Sequence, residues 1–432
     1  MTRLVTLAAT GVLIPALVCG EALPKKSLDD CIALSLAQQP RLAAADASIE
    51  AARERVWQSA AAYLPQVTAS YAANRRSATA GSLTGGGTFG GAPQRTRTFN
   101  FFSTGVALSQ VLFDFGQNLA LVHRARALEV SAAADAETER DAVVFDVSQA
   151  YLGLLAAYRL RTVADETVRQ NQQHLELAQG RYDVGFAPRF DVTQAQVQVA
   201  NAELAQVTAR NNVTLGRETL RNAIGLPGPL DFDIVDVLDT PRVTLSEAAA
   251  LGLAYEHRPE LASIRSRQKA ASLQIDALQK DYLPKLTGGA NYIFSGQRHP
   301  LNDTWNAGAA VNLSVFNGGL TTAQVGEARA NLEVLDANAE TLRQNVMLEV
   351  RQAMANVQQG TESIRVAEKA SRQARENLEL AEGRYSTGVG NIIELTDAQA
   401  SLASAEANQV QALVNYRIAV ATLERATAQP VD

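Results

Sequence analysis

The sequence repeats itself, and this repeat constrains the fold more than any other feature. The segment Tyr63-Leu64-Pro65 recurs as Tyr282-Leu283-Pro284, at an offset of 219 residues (282 − 63). The segment Arg181-Tyr182-x-x-Gly185 recurs as Arg384-Tyr385-x-x-Gly388, at an offset of 203 residues (384 − 181). Motifs that recur in the same order indicate a duplicated structural unit. The 432 residues are therefore predicted to form two copies of a unit of roughly 200 residues, rather than the three domains that ~150 residues per domain would give.

The two offsets differ by 16 residues (219 − 203), so the first copy carries an insertion. The segment from Ser77 to Thr98 is rich in Gly, Ser and Thr and is predicted to be the inserted loop. Within it, Gly85 to Gly90 matches the GxGxxG pattern by letter, but it leads into a predicted strand, which argues against a dinucleotide site. The chain thus divides into a signal peptide (1–22), a first copy (23–226), a linker (227–243), a second copy (244–427) and a C-terminal tail (428–432).

The N-terminus has the pattern of a secretory signal peptide. Arg3 precedes an apolar run from Leu4 to Cys19, and Gly20-Glu21-Ala22 offers small residues for cleavage. No later run approaches about 18 consecutive apolar residues, so the exported chain is predicted to have no transmembrane helix. Cys19 offers an alternative, because the residues before it resemble a lipid-attachment motif, although Val18 stands where a small residue is expected.

Composition narrows the range of functions. The formal net charge of −6 argues against a nucleic-acid partner. The two cysteines form no CxxC pair and the four histidines are scattered, so neither a metal site nor a cofactor is expected. The chain lacks the GxSxG, HExxH and P-loop motifs, so an enzyme is not expected. Hydrophobic residues make up 47% of the chain but aromatic residues only 6%, which favours long helices with small-residue seams.

Two intervals without proline, from Gln94 to Ala187 and from Leu301 to Gln429, leave room for very long helices. Apolar residues at three- and four-residue spacing predict rods from Gly116 to about Val184 and from Gly319 to about Thr387, each ~100 Å long. A tight turn and an antiparallel helix follow each rod. These returning helices are predicted over Asp191 to about Ile224 and Ile392 to about Ala426.

Each copy is predicted to open with two shorter helices. The patterns Ser27-x-x-Asp30 and Thr244-x-x-Glu247 are capping boxes that mark a helix start. Pro40 and Pro259 mark the end of the first short helix. The second short helix is predicted to run to the Tyr-Leu-Pro motif.

After each Tyr-Leu-Pro motif, the helical period changes to an alternation of apolar and polar residues. Such alternation over about ten residues is typical of membrane β-strands, and also of half-buried strands in a soluble sheet. Four membrane strands cannot close a barrel, and an open edge is costly in lipid, so several chains would have to share one barrel. Two hairpins are predicted, Gln66–Asn74 with Arg97–Phe113 and Lys285–Ser295 with Thr304–Phe316.

The motifs, duplicated and in this order, resemble the TolC-like outer-membrane efflux protein family. The resemblance rests on the tip motif Arg-Tyr-x-x-Gly with a following acid and Ala-Gln, on the Tyr-Leu-Pro motifs, and on the strand ends Val111 to Gly116 and Val315 to Gly319. It implies a mainly α-helical fold with a β-barrel portion. Three chains would complete a twelve-stranded barrel in the outer membrane of a Gram-negative bacterium, and the long helical hairpins would form an α-barrel in the periplasm.

The same resemblance implies a function and its partners. The homotrimer would be the exit duct of a tripartite efflux pump or a type I secretion system, closed at the helix tips. It would open when a periplasmic adaptor protein and an inner-membrane transporter dock. The exported cargo, whether a small toxic molecule or a protein, is not determined by the sequence.

The resemblance also assigns residues at the tips. Asp191 and Tyr385 match positions that hold neighbouring tip hairpins together, and Glu394 and Asp397 match acidic rings at the narrowest point. The basic partner often found in this latch falls on Gly390, so a salt bridge at that position is not expected. The segments that match the turns expected to meet the adaptor are Val184, Gly185, Phe186, Thr387, Gly388 and Val389.

The residues alone leave other roles open. Asn391-x-x-Glu394 is also an N-cap pattern, and Asp191, Glu394 and Asp397 lie in early helical turns, where acids suit the helix dipole. The tyrosines of the two tip motifs are also compatible with simple seam positions. Two rival functions are a periplasmic adaptor, which should have one helical hairpin and an inner-membrane anchor, and a secreted structural coiled coil, which leaves the strands unexplained.

Overall fold

The computed structural model describes residues 24–79, 96–236, 238, 240–241 and 243–430. The predicted signal peptide, Cys19 and the segment Gly85 to Gly90 lie outside the described residues. The elements follow in the order β1 (Lys25–Lys26), α1 (Leu28–Gln38), α2 (Pro40–Ala60), β2 (Gln66–Thr79), β3 (Thr96–Phe113), α3 (Gln117–Asp183), α4 (Arg189–Ile224), β4 (Asp233–Ile234), α5 (Glu247–His257), α6 (Pro259–Gln279), β5 (Lys285–Gly296), β6 (Asn302–Asn312), α7 (Leu320–Ser386) and α8 (Ile392–Thr427).

The helices of the two halves have equal lengths. α1 and α5 have 11 residues each, α2 and α6 have 21, α3 and α7 have 67, and α4 and α8 have 36. At 1.5 Å per residue, α3 and α7 are rods of ~100 Å. The predicted bounds of the rods and of the returning helices agree with the observed ones to within two residues. Among the described helices, none has the length and apolarity that crossing a membrane requires.

The starts of the short helices agree with the sequence patterns in one half and differ in the other. Ser27 and Asp30 form the predicted capping box at the start of α1. The box predicted for Thr244 and Glu247 is wrong. Ser246 is the N-cap of α5, and its hydroxyl accepts the N–H of Ala249 at 3.3 Å. Ser246 directly precedes the first helical residue, whereas Thr244 lies two residues too early to accept that bond.

The four longer strands form one antiparallel sheet in the order β2-β3-β5-β6. Pairing of Val106 with Tyr292, and of Tyr292 with Trp305, brings the apolar residues of neighbouring strands to one face. This apolar face carries Val67, Tyr71, Val106, Leu108, Tyr292, Phe294, Trp305 and Val311. The opposite face carries Phe101 and Ile293 but mainly small and polar residues, including Thr68, Ser70, Ser103, Ser109, Thr287, Asn291, Asn306 and Asn312.

Two strand boundaries differ from the prediction. β6 ends at Asn312, not at Phe316, because Asn312 pairs with Lys285, the first residue of its partner β5. Residues beyond Asn312 have no β5 residue to pair with. The predicted loop from Ser77 to Thr98 is also shorter at both ends, since pairing of β2 with β3 continues to Thr79 and Thr96.

Each rod packs along its returning helix, α3 along α4 and α7 along α8, so the chain contains two long antiparallel hairpins. Apolar residues at three- and four-residue spacing line the two hairpins, with Val147, Tyr151 and Leu154 buried in the first and Val350 and Val357 buried in the second. Nearer the sheet, α2 packs on α3, and α6 packs on both α3 and α7. The sheet and the tips therefore lie at opposite ends of these rods.

Part of the predicted linker belongs to the packed core. β4 pairs in parallel with β1, and Phe232 and Ile234 are buried beside the first hairpin. The hydroxyl of Tyr151 donates to the carbonyl of Val235 at 2.8 Å and so ties this segment to α3. Cys31 of α1 is buried here, and burial raises the pKa of its thiol to about 11.

Candidate functional site

The predicted site residues all lie at the end of the hairpins away from the sheet. We call Arg181–Asp191 the first tip, which joins α3 to α4, and Arg384–Asp397 the second tip, which joins α7 to α8. The six residues expected to contact an adaptor are exposed in these two turns. Phe186 is 80% exposed and Val389 is 73% exposed, so the turns present apolar side chains to their surroundings.

The two turns have the same backbone design, and it explains the repeated Arg-Tyr-x-x-Gly motif. Gly185 has a φ of +80°, a left-handed conformation that favours glycine just after a helix end. The N–H of Gly185 donates to the carbonyl of Tyr182 at 2.9 Å, and the N–H of Phe186 donates to the carbonyl of Arg181 at 2.8 Å. The second turn, centred on Gly388, has the same two bonds at 3.1 and 3.0 Å. The motif is therefore a helix-ending turn.

Tyr385 links the two tips. Its side chain is 2% exposed, and its hydroxyl donates to a carboxylate oxygen of Asp191 at 3.3 Å. The guanidinium of Arg181 lies 4.8 Å from the centre of the Tyr385 ring and donates to the Tyr385 carbonyl. Burial, and then the Asp191 carboxylate, raise the pKa of Tyr385, so the phenol remains a hydrogen-bond donor near neutral pH. The structure thus brings together two predicted residues and one cation.

Gly390 occupies a site that leaves no room for the basic residue expected there in the family. Its N–H donates to the carbonyl of Arg384 at 2.8 Å. A Cβ atom at Gly390 would lie 2.9 Å from the Cβ of Arg384 and 3.1 Å from the backbone nitrogen of Tyr385. A side chain at this position would therefore force the turn to shift. Arg181, from the other tip, supplies a cation at Tyr385 instead.

Glu394 and Asp397 lie in the first turns of α8 and are exposed. The side chain of Asn391 accepts the N–H of Glu394 at 2.8 Å, as the N-cap pattern predicts. The carboxylate of Glu394 pairs with Arg384 at 3.2 Å. Within one chain, Glu394 is therefore part of a cap and of an ion pair, and neither Glu394 nor Asp397 forms a hydrogen bond or ion pair with Asp191 or Tyr385.

A second polar contact joins the two rods above the tips. His174 of α3 lies 3.3 Å from the carboxylate of Glu382 of α7, and its side chain is 14% exposed. Burial lowers the pKa of His174, and the nearby Glu382 carboxylate offsets only part of this lowering. The histidine is therefore held mainly neutral at pH 7.

Sequence reasoning did not assign Arg181, Arg384 or the His174–Glu382 contact. The signal for the two arginines was available, because both belong to the repeated tip motif. Nothing in the local sequence indicates that they contact different hairpins. In the described part of the chain, no three metal-ligating side chains lie close enough to hold a metal ion.

The model of the outer membrane efflux protein family matches residues 31–226 and 250–429. The chain belongs to the outer membrane efflux protein family. The family predicted from the tip motifs, and the location in the outer membrane of a Gram-negative bacterium, are confirmed.

Individual relatives agree with this assignment. This outer membrane efflux protein is 27% identical over 403 residues to outer membrane protein TolC of Vibrio cholerae, covering 90% of this chain and 87% of that protein. It is 28% identical over 313 residues to the toluene efflux pump outer membrane protein TtgF of Pseudomonas putida, covering 71% of this chain and 64% of that protein. The crystal structure of the CmeC outer membrane channel of Campylobacter jejuni has the same fold, with a TM-score of 0.79, 17% identity, and coverage of 100% of this chain and 95% of that one.

Proposed function

We propose that three copies of this outer membrane efflux protein form the exit duct of a tripartite efflux pump or type I secretion system. The observation that supports this best is the sheet. It has one apolar and one polar face, and ~100 Å rods extend from it. The two long hairpins and the four-stranded sheet also favour a duct over an adaptor with a single hairpin.

The edges of the sheet argue for a shared barrel. β2 and β6 are its edge strands, and each pairs with a neighbour on one side in the described chain. In lipid, each unpaired backbone group costs several kcal/mol, roughly the cost of burying a polar group without a partner. Three copies arranged with β6 of one beside β2 of the next would remove all edges and give twelve strands. The apolar face would contact lipid, and the polar face would line the lumen.

The duct would close at the tips through the contact between Tyr385, Asp191 and Arg181. These three residues join α3, α4 and α7, so the two hairpins of one chain cannot separate without breaking it. Docking of an adaptor on the exposed residues of both turns would pull the hairpins apart. The exposed Phe186 suits such a protein contact, since aromatic side chains dominate interface energetics, and Val389 adds apolar area beside it in the second turn.

The acids of the second tip would select cations. In a trimer, three copies of Glu394 and three of Asp397 would meet near the axis, and their mutual repulsion would favour bound cations or protons. The cap and the Arg384 pair seen within one chain are compatible with this role, because both carboxylates are exposed.

The assembly is tested by extracting the protein from outer membranes in mild detergent and measuring its mass. We expect a trimer that forms channels in planar bilayers. A protein that is monomeric after extraction, or absent from the outer-membrane fraction, would contradict the proposal.

The acidic ring is tested by ion selectivity in the same bilayers. Glu394→Gln combined with Asp397→Asn should weaken cation selectivity. The control is Glu376→Gln combined with Glu379→Gln, two exposed acids of α7 with the same three-residue spacing. Equal selectivity of wild type and the tip variant would leave Glu394 and Asp397 as helix-capping residues only.

A further inference from the structure

A groove lies between α3 and α6, near the sheet. Its volume is about 350 Å³, and three basic side chains line it, His123 and Arg126 of α3 and Lys269 of α6. We call these three residues the basic groove. The remaining lining residues are Ser266 and small or apolar side chains, and none is acidic.

The three basic side chains have no partner among the residues that the structure describes. Nearby acids are already paired. Glu129 lies 3.6 Å from Arg53, and Asp276, two turns from Lys269 along α6, lies 2.6 Å from Lys280. All three side chains are exposed, so water solvates them in the free chain, and together they offer an anion hydrogen-bond donors from two helices. The cluster indicates an anion from outside the chain.

The groove lies on the face of α3 that carries the short elements. Tyr151 marks this face, because its hydroxyl bonds to Val235 beside β4. Val130 and His123 lie three and four heptads before Tyr151 (151 − 130 = 21 and 151 − 123 = 28). Residues seven apart face the same side of a coiled-coil helix. In a duct, this face is the outer one, since α1, β1 and β4 would otherwise block the lumen.

Along the rod, the groove lies close to the sheet, with His123 six residues, or ~9 Å, from the start of α3. Leu119 is exposed on the same face, one turn or ~6 Å nearer the sheet than His123. On α6, Leu273 is likewise one turn nearer the sheet than Lys269. Exposed apolar side chains continue upward from there, at Phe113, Phe115, Val315 and Phe316. Basic side chains only ~9–15 Å along the helices from a sheet that spans a bilayer would lie at the level of the lipid phosphates.

We propose that the basic groove binds the phosphate of an anionic phospholipid in the inner leaflet of the outer membrane. The proposal rests on the proposed function, since it requires the sheet to lie in that membrane. Arg126 and Lys269 would donate to the phosphate oxygens from two different helices. The bound lipid would thereby hold α3 against α6 just below the membrane.

The test is a lipid titration of the purified, delipidated full chain by native mass spectrometry. The probes are phosphatidylglycerol and phosphatidylcholine, added separately. We expect wild type to retain phosphatidylglycerol. In the variant Arg126→Gln with Lys269→Gln, the apparent affinity should fall about 10- to 30-fold, because each removed cation weakens the attraction to an anionic lipid about 3- to 5-fold. Retention of phosphatidylcholine should be the same in both proteins.

The matched control is Lys369→Gln with Arg372→Gln, an exposed lysine and arginine with the same change of charge, ~74 Å along α7 from its first residue. This control should bind phosphatidylglycerol like wild type, and Arg126→Lys should retain binding. If the control and the groove variant lose the same affinity for phosphatidylglycerol, the loss follows from net charge alone, and the proposal is overturned.

A third arm separates lipid from free phosphate. Broadening of the phosphorus NMR signal of inorganic phosphate by wild type but not by the groove variant, without a preference for phosphatidylglycerol, would assign the groove to free phosphate and contradict the lipid. If the protein forms channels and the groove variant binds phosphatidylglycerol like wild type, only this inference fails. If no membrane channel forms, the proposed function fails with it.

Discussion

The two helix tips have the same turn but differ in what lies beneath it. In the second tip, Tyr385 is 2% exposed and packs with Leu378 of α7 and with Ile392 and Leu395 of α8. Its counterpart in the first tip, Tyr182, is 41% exposed. The same motif therefore ends both rods, but only in the second tip does its aromatic ring belong to a core.

The tip arginines differ in the same way. Arg384 pairs with Glu394 inside its own hairpin, whereas Arg181 reaches from the first tip to Tyr385 in the second. The helix starts differ as well, since Asn391 caps α8 with its side chain and Pro188 gives α4 no side-chain cap. The second tip is therefore self-supporting, and the first is held to it by Arg181. Movement between the hairpins should therefore begin at the first tip.

The largest effect on stability is expected from removing the aromatic ring of the tip motif, which is buried in the second tip and exposed in the first. Tyr385→Ala should lower the local stability of the second tip by about 3 kcal/mol, the lower end for a buried aromatic residue. Tyr182→Ala, at an exposed position, should change the first tip by about 0.5 kcal/mol or less. Hydrogen exchange of the first turns of α8 and α4 measures both. Similar losses in the two variants would show that the tips are equivalent in solution.

A smaller effect, on channel opening, should distinguish Arg181 from Arg384. Arg181→Gln removes the contact of its guanidinium with the Tyr385 ring and carbonyl, which together are worth about 1–2 kcal/mol. If this contact holds the duct closed, the open probability in planar bilayers should rise about 5- to 30-fold. Arg384→Gln removes only an exposed ion pair, worth about 0.2–1 kcal/mol, and should change opening little. A larger effect of Arg384→Gln would reverse the assignment of the crossing residue.

Much of the fold was predictable because its determinants are local. The rods follow from proline-free intervals and apolar spacing, and the tip turns follow from glycine at a helix end. β6 ends four residues before the predicted Phe316 because its end is set by β5, its partner across the sheet, and not by its own alternation. The cap of α5 was misplaced because Thr244 and Ser246 are both capable residues, and only the helix start decides between them.

The candidate site was predictable only in part, for a similar reason. The family pattern points to Asp191 and Tyr385, and the structure brings them into contact. The crossing of Arg181 depends on how the two hairpins lie side by side, which no pattern within one hairpin encodes. The tight packing at Gly390 likewise depends on the approach of the turn to Arg384.

The smallest expected effect concerns pH and the second contact between the rods. Because burial lowers the pKa of His174 below its ordinary value of 6.5, the separated rods bind a proton more readily than the packed ones. The stability of this contact should therefore be complete above about pH 6.5 and should decline as the pH falls through the lowered pKa. Glu382, 3.3 Å away, opposes the decline and keeps it small.

Hydrogen exchange of α3 near His174, corrected for intrinsic rates, should show protection falling from pH 7 towards about pH 5.5. In His174→Gln the fall should disappear, while His257→Gln, at an exposed position of α5, should behave like wild type. Protection that instead rises on acidification would mean that the charged pair of His174 and Glu382 outweighs burial, and the first tip would then be held more tightly to the second at low pH.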